Sequence, residues 1–325
     1  MSVAVGVIGT GVMGSEHVRI LREETVGAHL AAVCDASEDR ARAAAGENRV
    51  FTDALALINS DQVEAVVIAA PDAVHGSLVL ACIETGKPVL CEKPLAVTTA
   101  EAFEVVEAEV AKGQRLVQVG YMRRFDPPYI EMKRVREVGG VGRPVILHNV
   151  HRNPVAPEWF SGHMSVTNAF VHEIDVSRWL LGSEMVSARV HAAPGADPLM
   201  ITMETDQGEI VSTEVFMNCG YGYHVHAQLV GINGTIETAS PGITLRNVSG
   251  QHNSSYPDNW VPRFREAYVR QMNAWVKAVK TGVPTDGASA WDGYLTTAIA
   301  EQIVATMAFD AKTHFSVGSR PAIYD

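Results

Sequence analysis

Cysteine is scarce: four residues in 325, at positions 34, 82, 91 and 219, and none forms a CxxC pair. Two lie in apolar, strand-like runs where buried thiols are common, so all four read as reduced and the expected compartment is the cytoplasm. Long apolar runs are missing as well. The longest, such as AVVIAA at 65–70, are strand-sized and far too short to cross a bilayer. The opening MSVAVGVIG enters a strand pattern directly, without the basic stretch and cleavage site of a secretion signal. Positive charge is in deficit. With 26 Lys and Arg against 37 Asp and Glu, the formal net charge is −11, which argues against nucleic acid or an anionic membrane as partner. There is no low-complexity tract, internal repeat or run of like charge. What is present is an ordinary globular composition, 47% hydrophobic and 19% charged, in a chain long enough for two domains with separate cores.

The first of these begins with VAVGVIGTGVMGSEHVRIL. A β-branched run ends in Gly9-Thr10-Gly11-Val12-Met13-Gly14 and a helical pattern follows. A lone GxGxxG is weak, but strand before and helix after is the context that gives it meaning. Gly9 permits the tight turn, Gly11 lets the backbone approach a pyrophosphate, and Gly14 lets helix and strand pack closely. The helix start then offers free N–H groups to the phosphate charge. The next strand, HLAAVCD, ends in Asp35, 21 residues after Gly14. A carboxylate there accepts hydrogen bonds from the adenine-ribose hydroxyls and repels a 2′-phosphate, which favours NAD over NADP. Arg40 is near enough to weaken this preference. A purely structural role, Asp35 or Ser37 capping the helix EDRARAAA, is the competing explanation.

Strands and helices then alternate: VEAVVIA, a helix to Gly86, PVLCEKP, the helix TAEAFEVVEAEVAK, and RLVQVGY. This predicts a parallel, doubly wound sheet covered on both faces, with ligands at the carboxyl ends of the strands. The loops APDAVH, with Pro71 and His75, and CEKP, with Glu92 and Lys93, fall at that edge. Most lysines at strand ends are surface residues. Lys93, however, sits beside Glu92 and before Pro94, and a fixed ammonium beside a nicotinamide would orient a hydroxyl and stabilise oxyanion charge.

After Tyr121 the pattern changes. The helix PPYIEMKRVREVGG is followed by strand-like runs at 144–152, 185–192, 199–206, 209–218, 223–231 and 235–240. Turn formers at 206–208 and at Asn233-Gly234 separate several of these, the latter read as a hairpin turn. The expectation is a dinucleotide-binding Rossmann domain over 1–121 and an α+β domain over 122–325 built on a large, mostly antiparallel sheet. Late helices over 265–282 and 291–309 could pack back on the first domain. His224 and His226 share one face of a strand but lack a third ligand, so no metal is expected. The segment SVTNAFVHEIDVSRWLLG reads as one helix. At 100° per residue it places Asn168, His172, Asp175 and Trp179 on one stripe, which is ordinarily a solvated face.

GVIGTGVMG, AAPDAVH, CEKPLAV, VGYMRRFDPPY and HEIDVSRWLLG together resemble the glucose–fructose oxidoreductase/inositol dehydrogenase family. HRNPVAPEW, FMNCGYGY and GASAWDGY extend the likeness toward bacterial inositol 2-dehydrogenases, over nearly the whole chain. The resemblance implies that Lys93 lies by nicotinamide and substrate, that the Lys93-Pro94 bond is cis, and that His172 is the general acid/base. It also implies that Arg123 and His151 lie near substrate or nicotinamide and that Tyr223 contacts substrate. The implied reaction is NAD-dependent oxidation of a secondary ring hydroxyl of an inositol or related cyclic polyol or sugar, in a homodimer or homotetramer. The position four before the histidine is typically aspartate in such enzymes. Here it is Asn168, which can hydrogen-bond a hydroxyl but cannot carry a proton. Two rival readings belong to relatives on the same fold: a hydrolase that cleaves glycosides through transient oxidation, and a non-catalytic sugar-sensing regulator.

Overall fold

The computed structural model describes residues 2–160, 162–239, 245–307 and 313–324. The chain falls into two compact units: Met1–Phe125 with Glu266–Ala298 and Val317–Asp325, and Asp126–Arg265 with Ile299–Ser316. Neither unit is continuous in sequence, whereas the sequence pattern places one boundary at 121/122.

The first unit runs β1 (Val3–Ile8), α1 (Val12–Glu23), β2 (Ala28–Cys34), α2 (Glu38–Ala45), β3 (Arg49–Phe51), α3 (Ala54–Ile58), β4 (Ala65–Ile68), α4 (His75–Thr85), β5 (Val89–Cys91), α5 (Thr99–Lys112) and β6 (Val117–Val119). Each helix boundary has a local cause. Thr98 and Glu101 form a capping box at the start of α5, and Gly86 and Gly113, both in the left-handed region, end α4 and α5. Strands β1, β4 and β5 are almost wholly buried, as a sheet covered on both faces requires.

The second unit contains α6 (Pro127–Glu137), β7 (Pro144–Arg152), α7 (Val171–Leu181), β8 (Met185–Ala192), β9 (Leu199–Thr205), β10 (Ile210–Phe216), β11 (His224–Gly231) and β12 (Gly234–Glu237), then a small hairpin of β13 (Arg246–Val248) and β14 (Gln251–Asn253). Helices α8 (Trp260–Thr281) and α9 (Ala290–Thr306) each contribute residues to both units, and α8 breaks helical geometry at Phe264. The short strands β15 (Ala288–Ser289) and β16 (Thr313–His314) complete the order.

The first sheet has the order β15-β6-β5-β4-β1-β2-β3. It is parallel except for β15, an antiparallel edge strand that the sequence pattern did not reveal because two residues carry no period. The order turns at β1, which pairs with both β2 and β4, so the loops after β1 and β4 flank the topological switch point. The second sheet, β12-β11-β7-β10-β9-β8-β16, is antiparallel apart from β7 and β10. Its strands alternate buried and less buried residues, as along β9, where Leu199, Ile201, Met203 and Thr205 are buried and Met200 and Glu204 exposed, which is the signature of one covered face. The predicted hairpin exists, but Gly231 pairs with Gly234, so the two loop residues are Ile232 and Asn233, one position earlier than expected. Ser240 of the predicted strand over 235–240, and residues 308–309 of the last predicted helix, lie outside the described residues.

Cys34, Cys82 and Cys91 are buried and unbridged; burial pushes the first two thiols up to about 11 and about 12. They stay protonated at neutral pH and offer no thiolate nucleophile. Among the described residues, no helix is long and apolar enough to cross a membrane, and no group of His, Cys, Asp and Glu has the geometry of a metal site.

Candidate active site

The turn after β1 shows why its three glycines are glycines. Gly9 has φ of +87°, and a Cβ there would lie 2.4 Å from the Ala69 carbonyl oxygen. A Cβ on Gly14 would stand 1.8 Å from the Gly9 oxygen, so α1 could not close onto the strand. Gly11 faces open space: a Cβ there would meet nothing within 4 Å. It is also the residue before the first turn of α1, and no side chain caps that turn. A glycine with room in front of it, at an uncapped helix start, is where a pyrophosphate fits.

Asp35 follows β2 and is 8% exposed. One oxygen accepts from the Thr10 N–H and hydroxyl, both at 2.9 Å; the other accepts from the Ser37 N–H at 2.8 Å and from Arg40 at 2.7 Å. Burial would raise this carboxyl, but those donors outweigh it and hold the group well below the usual carboxylate range. Asp35 is therefore a fixed anion at the tip of the second strand, and Arg40, largely exposed, is its counter-ion. Ser37, not Asp35, caps α2.

At the ends of β4 and β5 the predicted residues divide into two kinds. Pro71 is exposed and Lys93 half-buried, and the Lys93-Pro94 bond is cis as the resemblance implied. His75 is 1% exposed, with Nδ1 2.7 Å from the Pro94 carbonyl oxygen and Nε2 2.8 Å from that of Ala70. Its ring braces the two loops against each other. Glu92 lies 2.7 Å from Nε2 of His17, tying the end of β5 to α1. Both residues hold the loop that presents Lys93. Arg123, in the 3₁₀ turn after β6, is 1% exposed.

In the second unit, β7 and α7 bring together residues far apart in sequence. His151 is 4% exposed and His172 9%, with ring centroids 6.3 Å apart. Tyr223, 3% exposed, stands edge-on to His151 at 6.2 Å. Nδ1 of His151 is 3.1 Å from a carboxylate oxygen of Glu173, which is fully buried. That contact orients the imidazole and selects its tautomer: with Nδ1–H donating to the carboxylate, Nε2 is left as an acceptor.

The predicted single helix over 165–182 is two segments. Ser165–Phe170 is π-helical and α7 starts at Val171. Its i→i+5 repeat turns less than 100° per residue, so Asn168 does not sit one α-turn before His172 as the stripe assumed. The stripe is not solvated either, since Asp175 is fully buried and every residue of α7 except Trp179 is buried. Trp179 serves elsewhere, with the Lys133 ammonium 4.5 Å from its ring centroid. The stripe also passes over Glu173. It lies one position from His172 and therefore about 100° away around the helix; the HE pair was the available signal. His148 is exposed while His151 is buried, in keeping with their opposite faces on β7.

An uncapped glycine turn, a fixed carboxylate at the second strand and a buried histidine cluster in the companion unit define a dinucleotide-dependent oxidoreductase. The chain belongs to the Gfo/Idh/MocA oxidoreductase family: its NAD-binding Rossmann model matches residues 3–121 and its C-terminal alpha/beta model residues 142–312. Inositol 2-dehydrogenase 1 of Saccharopolyspora erythraea is 47% identical, covering 100% of this chain and 99% of that protein. The inositol 2-dehydrogenase/D-chiro-inositol 3-dehydrogenase of Shouchella clausii is 37% identical over 100% of this chain and 97% of its own. A crystal structure of myo-inositol dehydrogenase from Lactobacillus casei with NAD(H) and myo-inositol superposes with a TM-score of 0.95, at 29% identity and full coverage of both chains.

Proposed function

We propose that the protein catalyses the NAD-dependent oxidation of a secondary ring hydroxyl of an inositol. The observation that carries this reading is the buried cluster of His151, His172 and Tyr223, with His151 oriented by Glu173, on a chain whose end-to-end relatives are inositol dehydrogenases. NAD, held at Gly9–Gly14 and Asp35, supplies the hydride acceptor when bound.

His172 takes the proton of the reacting hydroxyl. An imidazole suits the task because its ordinary pKa, about 6.5, is close to working pH. The Lys93 ammonium holds that hydroxyl and favours its ionised form, while the Glu92 and His75 contacts keep the lysine's loop in place. His151, with Nδ1 committed to Glu173, binds a neighbouring hydroxyl through Nε2. Tyr223 and Asn168 contact the ring hydroxyls, and Arg123 lines the nicotinamide side. Thr10, Val12, Met13 and Pro71 contact the cofactor through the backbone of the two loops. The enzyme works as a cytoplasmic homodimer or homotetramer, which sedimentation of the purified chain and fractionation of its host would check.

The test is NADH formation across a panel of inositol isomers and pyranoses, repeated with NADP. Rapid turnover of one inositol with NAD supports the reading. No NADH from any inositol, with NAD still bound, overturns it. Release of sugar from a glycoside without accumulating NADH would favour the transient-oxidation reaction instead.

A further inference from the structure

Among the clustered residues of the second unit, Tyr223 lies outside regular structure. His151 is carried by β7 and His172 by α7, whereas Tyr223 precedes the first residue of β11. Its N–H donates to the carbonyl oxygen of Pro257, at 3.1 Å, on the strap that joins β14 to α8. A side chain in such a place takes its direction from whatever holds the backbone around it.

Tyr256, the residue before Pro257, provides that hold. It is half-buried, and its ring centroid is 5.1 Å from that of Tyr221 and 4.8 Å from that of His224. One ring therefore packs against residues on both sides of Tyr223 in the chain. Gly222 lets the strap come this close, since a Cβ there would stand 2.6 Å from Cβ of Tyr256. The two clamped residues are also joined to each other, with the Tyr221 hydroxyl 2.7 Å from Nδ1 of His224. The same hydroxyl accepts from Arg152 at 2.9 Å, and Arg152 is paired with both carboxylate oxygens of Glu214 on β10.

These contacts stand behind the site. In the pairing of β7 with β11, His224 is opposite Arg152 and Val225 is opposite His151. Successive side chains alternate between the faces of a sheet, so Arg152 and His224 share the less buried face while His151 is on the covered one. The Tyr223 ring, 3% exposed, stands edge-on to His151 at 6.2 Å and to Phe264 at 6.3 Å. Backbone clamped on one face thus aims a ring on the other.

We propose that Tyr256 is a positioning residue for the reaction: it clamps Tyr221 and His224 from the outer face and so sets the Tyr223 ring against the substrate. The proposal rests on the reading of Tyr223 as a substrate contact, and Tyr256 acts only through it.

The test labels the full chain with 3-fluorotyrosine and assigns the Tyr223 resonance by its loss in Tyr223→Phe. Tyr256→Ala is expected to shift that ¹⁹F resonance and to raise KM for the inositol about fivefold, with kcat and KM for NAD changed by less than about twofold. Tyr256→Phe, which keeps the ring, is expected to restore both. The resonance of Tyr129, buried in the same unit, stays in place in a folded variant. Where the alanine variant does not fold, Tyr256→Leu, which keeps apolar bulk without the ring, takes its place. A purely structural residue would lower the melting temperature and leave KM where it was. An unmoved Tyr223 resonance overturns the proposal, as does a Tyr256→Phe that behaves like the alanine variant. A moved resonance with KM unchanged refutes the assignment of Tyr223 to substrate, and the proposal with it. The resonance needs no turnover, so failure of the clamp is read separately from failure of the proposed reaction.

Discussion

The two units hold their candidate residues by different means. In the first, Gly9, Gly11 and Gly14 fall within six residues, and the features that fit a pyrophosphate are a left-handed turn, a glycine facing open space and an uncapped helix start. In the second, His151 comes from β7, His172 and Glu173 from α7, and Tyr223 from the segment before β11, up to 72 positions from His151. Backbone chemistry makes the first region; side chains gathered by a sheet make the second. A backbone site tolerates most substitutions that keep its glycines, whereas a gathered site fails one side chain at a time.

The comparison is broken most directly at His172. His172→Ala should lower kcat by roughly 10² to 10⁴-fold with NAD affinity unchanged, as measured by steady-state kinetics and by titration of NAD into the variant. A loss of NAD affinity of the same size would show that the units' tasks are not separable. Lys93→Met tests the exception, a side chain of the first unit assigned to chemistry. The expectation is a fall of about 10²-fold or more in kcat, with little change in the dissociation constant for NAD.

Glu173→Gln keeps a hydrogen-bonding group beside His151 but removes its charge. A loss of roughly tenfold in kcat/KM is expected, with a shifted pH profile, because the carboxylate no longer selects the tautomer. A purely structural role would lower thermal stability and leave the profile in place. At the other site, Asp35→Ala should reduce kcat/KM for NAD by about tenfold and improve NADP, whereas Arg40→Ala should worsen NADP further. Asp35 also has a defined pH signature. Its folded pKa is depressed, so its contribution to stability is present above about pH 4, the unfolded value, and is lost as pH falls toward the folded one. Melting temperatures of wild type and Asp35→Asn should therefore converge in acid and separate above that point.

The smallest effect is expected at Asn168. Asn168→Asp restores a carboxylate on the half-exposed π-helical segment, and the expected outcome is a changed ranking among inositol isomers with kcat altered by only a few-fold. An unchanged ranking would show that this position does not contact the ring.

Much of the fold was readable because its signals are local. α5 and β7 have the bounds that the pattern predicts, since a capping box and glycine define one and turn formers on both sides define the other. β15 was not readable, because a two-residue edge strand exists only by pairing with β6. Nor was the sharing of α8 and α9 between the units, which depends on contacts made far along the chain from the residues themselves. Among the site residues, the glycines, Asp35 and Lys93 stand where strand ends put them. His75 and Glu92 read as cofactor contacts in the sequence, whereas the ring of one and the carboxylate of the other are turned to protein partners.

Period, turn residues and the GxGxxG spacing by themselves determined a Rossmann unit, a second sheet and the positions of Gly9–Gly14 and Asp35, because each follows from the steric demands of neighbouring residues. Tertiary structure alone decided the rest. The pairing of Glu173 with His151 depends on β7 lying against α7. The departure of 165–170 from α-geometry depends on what packs around it, which no local pattern encodes.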